Sequence, residues 1–326
     1  MKEFLRNRTQ RLFNFIKLSK KLISLTGEGC PLVFNFRSYS ANNFIRQIIK
    51  FLVTPFMIIK YFLPVKNLKR EGLAIALIAK NEAQYITEWI NFHVKQGVSH
   101  FFIYDNESTD NLYETLQPFI KRGLVTYKKF PGKIRQNDAY NHAIYHYKRK
   151  FKYFAMIDAD EFLFVRNNTQ GGGGLYKFLD SFMSEHPNAG GIGVNWLVFG
   201  SNGHDTKPDG GVLKNFIMCV QKDFDANHHI KTICDPMKIF SWINPHFPMQ
   251  CRGFHNLSEN GEIIDGPFTR KVSFDKIRIN HYFYKSREEY TQKIARGRAD
   301  VDQRSIADFR GHKCNIITDT EILSHI

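Results

Sequence analysis

The residues best suited to chemistry lie in one short stretch. An apolar run, Tyr153-Phe-Ala-Met-Ile157, stops at Asp158, Asp160 and Glu161 and resumes at Phe162. A carboxylate taken into a protein interior without a partner costs several kcal/mol, so these acids demand a cation, a set of donors or water. On an extended backbone, residues two apart point to the same side, which would place Asp158 and Asp160 together. Two oxygen-rich side chains at one strand end suit a hard divalent cation such as Mg²⁺ or Mn²⁺. The simpler alternative is a strand that ends in a solvated acidic turn.

Two further strand ends carry polar clusters, Lys80-Asn81-Glu82 and Asp105-Asn106. In open α/β sheets ligands sit beyond the carboxyl ends of strands, so three such ends define one rim. A nucleotide fits that rim: Asp105 as acceptor from a base imide N–H or a ribose hydroxyl, the acidic pair with a metal on the diphosphate. Each cluster taken singly is also what a helix N-cap attracts.

The elements that must position these groups are legible from periodicity. Leu73–Ala79 reads as a buried parallel strand. A helix follows from Glu82 to Gln96, stopped by Gly97. Phe101–Tyr104 is the second strand, and Ser108 or Thr109 is expected to cap a helix running to Ile120. Leu124–Phe130 is the third strand, Arg135–Lys150 a helix, and Tyr153–Ile157 the fourth strand. Four alternations of strand and helix predict an α/β fold, a mostly parallel central sheet flanked by helices. Gly191–Val198 and Ile277–Tyr284 are further strands, and the glycine-rich residues 167–174 a surface loop.

The chain of 326 residues carries a formal net charge of +15, unevenly spread. Residues 1–70 hold fourteen Lys/Arg against Glu3 and Glu28, leaving a nearly balanced body. The chain is therefore expected to divide into a basic leader, residues 1–65, and a nearly balanced globular domain, residues 66–326. Phe44–Leu63 mixes bulky apolar residues with cations, as a segment lying on an anionic membrane face does. Lys50, Lys60 and Pro55 interrupt it too often for a span of ~20 residues. Docking of this segment on the body is the competing reading. Five dispersed cysteines without a C-x-x-C pair fit a reducing cytoplasm. The expected location is the cytoplasmic face of a membrane, held peripherally. The body lacks an RNA-binding aromatic motif, so no specific nucleic acid is expected as partner.

The combination of motifs resembles glycosyltransferase family 92, within the broader family 2-like enzymes. The resemblance rests on Ile78-Ala-Lys80-Asn81-Glu82, Glu88-Trp89-Ile90 with His93, Tyr104-Asp105-Asn106 with Ser108 and Asp110, and Gln136-Asn137-Asp138-Ala139-Tyr140-Asn141. It continues through Asp158-Ala-Asp160-Glu161-Phe162, Trp196 with Phe199-Gly200-Ser201 and Gly203-His204, and Ile279-Asn280-His281-Tyr282 with Lys285, Ser286 and Lys293. It spans about residues 73–300. It implies a GT-A-like fold, a UDP-hexose donor (galactose favoured), a divalent metal, inversion at the anomeric carbon, and a glycan or glycolipid acceptor of cell-surface polysaccharide or lipooligosaccharide synthesis.

The same resemblance assigns expected roles. Asp158, Asp160 and His281 would face the metal, though His281 could equally be an ordinary half-buried histidine. Lys80, Asn81, Glu82, Asp105, Asn137 and Lys285 would contact the donor, with Lys293 and Arg296 as further cations. An inverting transfer needs a base facing the acceptor hydroxyl. Asp205 is the first choice and Glu161 the second, ahead of Asp235 and Asp265, which read as turn residues. Trp196 and Trp242 offer sugar-stacking faces or core packing. The rival readings are a metal-dependent nucleotidyltransferase or phosphodiesterase, a basic scaffold binding nucleic acid or membrane, and an inactive glycosyltransferase-like scaffold.

Overall fold

The structure is a computed structural model that describes residues 68–166, 174–295 and 306–326. The basic leader, the glycine-rich loop up to residue 173, and Arg296 lie outside the described residues.

The first strand, β1 (Leu73–Ala79), is buried along its whole length. Its alternate residues enter two different cores. Leu73, Ile75 and Leu77 pack with Ile86, Trp89 and Ile90 on one face of the sheet. Ala74, Ala76 and Ile78 pack with Tyr140, Phe154 and Trp242 on the other. The period of two thus explains why an unbroken apolar run is needed: both faces are covered by helices. Helix α1 (Ala83–Lys95) covers the first face, together with α2 (Leu112–Lys121). Helix α3 (Gln136–Tyr147) covers the second.

Strands β2 (Val98–Asp105), β3 (Val125–Lys129) and β4 (Tyr153–Met156) run parallel to β1, in the order β3-β2-β1-β4. This is the half of the sheet that the alternating pattern predicted. Beyond β4 the sheet continues through further strands, of which the sequence reading placed Gly191–Val198 and Ile277–Tyr284. Strand β5 (Glu161–Val165) leaves the acidic turn, and α4 (Gly174–Glu185) leads to β6 (Ala189–Val198). The two-residue β7 (Met218–Cys219) precedes β8 (Ile230–Cys234), which lies between β4 and β6 and is antiparallel to both. Gly191 makes the β6–β8 contact possible, since a Cβ there would stand 2.8 Å from the Ile233 carbonyl oxygen.

A hairpin of β9 (Ile239–Trp242) and β10 (Pro248–Gln250) follows, then β11 (His255–Leu257) and β12 (Ile263–Ile264) at the sheet's edge. Strand β13 (Ile277–His281) runs parallel to β6 and antiparallel to β5. Helix α5 (Arg287–Ala295) comes next. These directions matter for the site: the carboxyl ends of β1, β4, β6 and β13 and the beginning of β8 all meet at one rim. Among the described residues no helix is long and apolar enough to cross a membrane.

Helix α2 departs from the expected start. Its N-cap is Asn111, without a side-chain capping bond. The expected caps, Ser108 and Thr109, instead serve the neighbouring turn, where Ser108 Oγ accepts from Asn81 N–H (3.0 Å) and Thr109 N–H donates to Asn81 Oδ1 (2.7 Å). Asp110 accepts both from Ala83 N–H (2.9 Å) and from Leu112 N–H at the start of α2 (3.2 Å). The polar residues that looked like a cap tie the β2–α2 loop to the start of α1.

Candidate active site

The acidic turn is held from two sides. Glu161 N–H donates to the Asp158 carbonyl (3.1 Å), and Asp158 N–H donates to Glu161 Oε2 (2.9 Å). Helix α1 fixes the strand that leaves the turn. Trp89 Nε1–H donates to the Glu161 carbonyl (2.7 Å), and Leu163 N–H donates to His93 Nε2 (3.1 Å). The four-residue spacing puts Trp89 and His93 on one helix face, where both meet β5. His93 is wholly buried, and burial lowers its pKa to about 3, so the ring is neutral. Its Nδ1–H is spent on the Trp89 carbonyl (2.8 Å), which leaves Nε2 as the acceptor that Leu163 needs.

Asp158 lies past the end of β4. Its Oδ2 accepts from Lys231 Nζ (2.8 Å), and its Oδ1 from Gln136 Nε2 (2.8 Å) and Tyr140 O–H (3.3 Å). Gln136 and Tyr140 are again four apart, on the inward face of α3. Lys231 also stands 3.7 Å from Glu161 Oε1. Burial would lower the Lys231 pKa, but Asp158 and Glu161 more than reverse it, and the ammonium stays charged. Glu161 is driven the other way: burial raises its carboxyl well above the ordinary value, with Asp158 and Asp160 adding and Lys231 opposing.

Asp160 and His281 form the second centre. Asp160 Oδ1 is 3.6 Å from His281 Nε2, and Asp160 Oδ2 accepts from Lys293 Nζ (2.5 Å). Burial alone would raise the Asp160 pKa, yet Lys293 and His281 hold it well below the carboxylate range. Burial lowers the His281 pKa, with Asp160 opposing, so the imidazole is neutral. Its Nδ1 is buried without a hydrogen-bond partner. A carboxylate oxygen and a neutral imidazole at this spacing suit two donors to one divalent ion, with phosphate and water completing the shell.

Asp158 does not join them, contrary to the same-side expectation. The strand ends at Met156 and the acids lie in a turn, so the alternation rule no longer applies. Among the described residues no group of three His, Cys, Asp or Glu is arranged to hold a metal ion.

These groups line a cavity of about 690 Å³ at the sheet rim. Lys80 and Glu82 border it at the β1 end, Asp158 and Asp160 at the centre, and Trp196, His229, Lys231 and His246 at the β6–β8 end. Its volume falls in the range of small-molecule sites, about 300–1,000 Å³. A smaller adjoining cavity of about 290 Å³ is lined by Asn81, Lys285 and Lys293 among others. Lys285 there sits over the Tyr85 ring, 4.6 Å from its centroid.

Four expected site residues are not brought to either cavity. Asp105 is buried and engaged, accepting from Ser108 N–H (2.9 Å) and Tyr127 O–H (2.5 Å). Asn137 is turned off the α3 face that Gln136 and Tyr140 present, and its Oδ1 is buried without a partner. Glu161, the second choice as base, has no exposed surface. Asp205, the first choice, has 70% of its side chain exposed and lies 3.1 Å from His312. Trp242 is wholly buried against Tyr140, 5.6 Å between centroids, and belongs to the core.

The sequence reading passed over Gln136 as a contact, and Lys231, His229, His246 and Arg310 altogether. A signal existed for Lys231, a lone cation inside the apolar run Ile230–Cys234. Arg310 arrives from a C-terminal segment that Arg278 anchors through paired bonds to Asp319 (2.8 and 2.9 Å), a contact without local sequence signature.

The chain is similar to several known proteins. A glycosyltransferase family 92 protein of Oryza sativa subsp. japonica is 26% identical over 228 residues, covering 70% of this chain and 36% of its own length. One from Ricinus communis is 24% identical over 220 residues, covering 66% and 36%. The chain thus spans little more than a third of these relatives. Among solved structures, S. aureus TarS 1–349 in complex with UDP-GlcNAc is 12% identical, covering 71% of this chain and 68% of that one, with a TM-score of 0.35. Glucosyl-3-phosphoglycerate synthase of Mycobacterium tuberculosis, in complex with Mn²⁺, UDP and glucosyl-3-phosphoglycerate, is 17% identical, covering 39% and 44%, with a TM-score of 0.25. The sequence profile of Glycosyltransferase family 92 matches residues 74–307, and the chain belongs to that family.

Proposed function

We propose that the chain transfers a hexose, galactose in the first instance, from a UDP-sugar to a glycan or glycolipid acceptor, with inversion. Family membership supports the reaction class, and one observation carries the siting. Asp160 and His281 stand 3.6 Å apart in a cavity at the sheet rim that can take a nucleotide sugar. A Mn²⁺ or Mg²⁺ ion held by these two side chains would stabilise the negative charge that develops on the departing diphosphate.

The chain's own residues do the rest. Lys80 and Arg310, which line the cavity, add positive charge for the diphosphate. Lys293 holds Asp160 ionised and oriented. Lys231 and Gln136 fix Asp158 at the centre of the floor, and Glu161 positions the turn rather than meeting a substrate. The base is reassigned to Asp225, a carboxylate that lines the cavity on the side of Trp196 and His229. There it can take the proton of an acceptor hydroxyl, the role first given to Asp205. The basic leader would keep the domain on the cytoplasmic face of an anionic membrane, where a lipid-linked acceptor for surface polysaccharide is met.

The test is release of UDP from a panel of UDP-hexoses, with Mn²⁺, in the presence of lipid-linked glycan fractions. Acceptor-dependent UDP release, lost in Asp160→Asn and Asp225→Asn, is the expected result. Release that ignores the acceptor in every fraction contradicts the transferase reading.

A further inference from the structure

Beyond the acids, one side chain in the cavity is fixed more completely than packing requires. His246 lies in the turn between β9 and β10, yet three of its polar atoms are pinned. Its N–H donates to Asn244 Oδ1 (3.0 Å), its carbonyl accepts from Thr232 Oγ1 (2.9 Å), and its Nδ1–H donates to the Ile230 carbonyl (2.8 Å). A backbone carbonyl accepts only, so Nδ1 carries the proton and Nε2 is left as a lone-pair acceptor. The ring lines the cavity and Nε2 has no hydrogen-bond partner among the described residues. Burial and nearby Lys231 lower the ring's pKa to about 3, which keeps that lone pair available at neutral pH.

The surroundings specify the ligand's chemistry. Trp196 meets His246 edge-on (centroids 5.2 Å, interplanar angle 64°) and stacks on His229 (4.8 Å, 13°). The Trp196 indole N–H is buried without a partner. An acceptor nitrogen beside apolar ring edges matches the alternating C–H and O–H surface of a sugar. Lys231, the lysine at this end, is spent on Asp158.

We infer that the β6–β8 end of the cavity is a hexose subsite in which His246 Nε2 accepts a hydrogen bond from a sugar hydroxyl. This rests on the glycosyltransferase reading, and two sources share the chemistry: the donor's hexose and a sugar of the acceptor.

The experiment compares wild type with His246→Ala and His246→Gln, the latter keeping an acceptor near the Nε2 position. Dissociation constants are measured by calorimetry for UDP and for UDP-galactose with Mn²⁺, and binding of free galactose, glucose and N-acetylglucosamine is followed by saturation-transfer NMR. Loss of one neutral hydrogen bond corresponds to about a 3- to 10-fold change in affinity. If the hydroxyl is the donor's, His246→Ala weakens UDP-galactose by that factor, leaves UDP unchanged, and His246→Gln recovers affinity. If it is the acceptor's, UDP-galactose is unchanged and the free-sugar signals fall in His246→Ala alone. Unchanged binding of all probes in a folded His246→Ala overturns the inference, as does equal weakening of UDP and UDP-galactose. Failure of wild type to bind UDP at all overturns the donor reading instead, and the free-sugar measurement still decides the role of His246.

Discussion

The ammonium of Lys231 lies 2.8 Å from an Asp158 carboxylate oxygen on the cavity floor, with 1% of the lysine side chain exposed. The same ammonium faces Glu161, which is entirely enclosed. One cation thus faces two acids: it is the counter-charge of Asp158 and opposes the neutralisation of Glu161, so removing it leaves Asp158 without its ion pair. Lys231→Met is expected to cost about 3–5 kcal/mol of stability in urea unfolding. Combined with Glu161→Gln, the loss should be smaller than the sum of the two single losses by about 1 kcal/mol or more. Additive losses would show that the pair is not coupled.

The two cavity-facing and core-facing tryptophans of the site should behave differently. Trp89→Phe removes the indole donor to the buried Glu161 carbonyl and is expected to cost about 1–3 kcal/mol. Trp196→Phe loses an indole N–H that has no protein partner, so its cost in the unliganded protein should stay below about 1 kcal/mol. Equal losses in denaturant titrations would contradict the assignment of the Trp89 bond.

The stability of the fold should fall on acidification through His93. Its folded pKa of about 3 lies below the unfolded value of 6.5, so below pH 6.5 the unfolded chain binds a proton that the folded chain refuses. The contribution is therefore complete above pH 6.5 and is lost as pH falls toward 3. By pH 5 it amounts to about 2 kcal/mol for this one group. His93→Gln should flatten the dependence between pH 6.5 and 5 by about that amount, read as the difference in unfolding free energy at the two values. An unchanged slope would show that His93 does not titrate on unfolding.

The parallel half of the sheet was legible because its signal is local. Leu73–Ala79 is an unbroken apolar run with helical periodicity after it, and β1 occupies those seven residues. In the other half β6 and β13 were legible in the same way, but β8 was not, because it is held by partners far away in the chain and its five residues include the charged Lys231. Asp158 and Asp160 stood out by type, since carboxylates bounded by apolar sequence are costly without a purpose, and both line the cavity; His281, which also lines it, entered only through the family resemblance. Which acid faces which partner was not, because Asp158 and Asp160 sit in a turn whose geometry Glu161 and Trp89 impose. His246 was invisible for a similar reason: its tautomer is set by the carbonyl of Ile230, sixteen residues earlier.

In the proposed function Asp160 and His281 hold the diphosphate end of a nucleotide through a divalent ion. The direct measurement is calorimetric titration of UDP onto the protein, with Mn²⁺ and with chelator, for wild type, Asp160→Asn and His281→Ala. The prediction is that Mn²⁺ tightens UDP binding to wild type at least about tenfold, some 1.4 kcal/mol, and that both variants lose this difference while remaining folded. A UDP affinity indifferent to Mn²⁺, or a metal effect that survives Asp160→Asn, would contradict it.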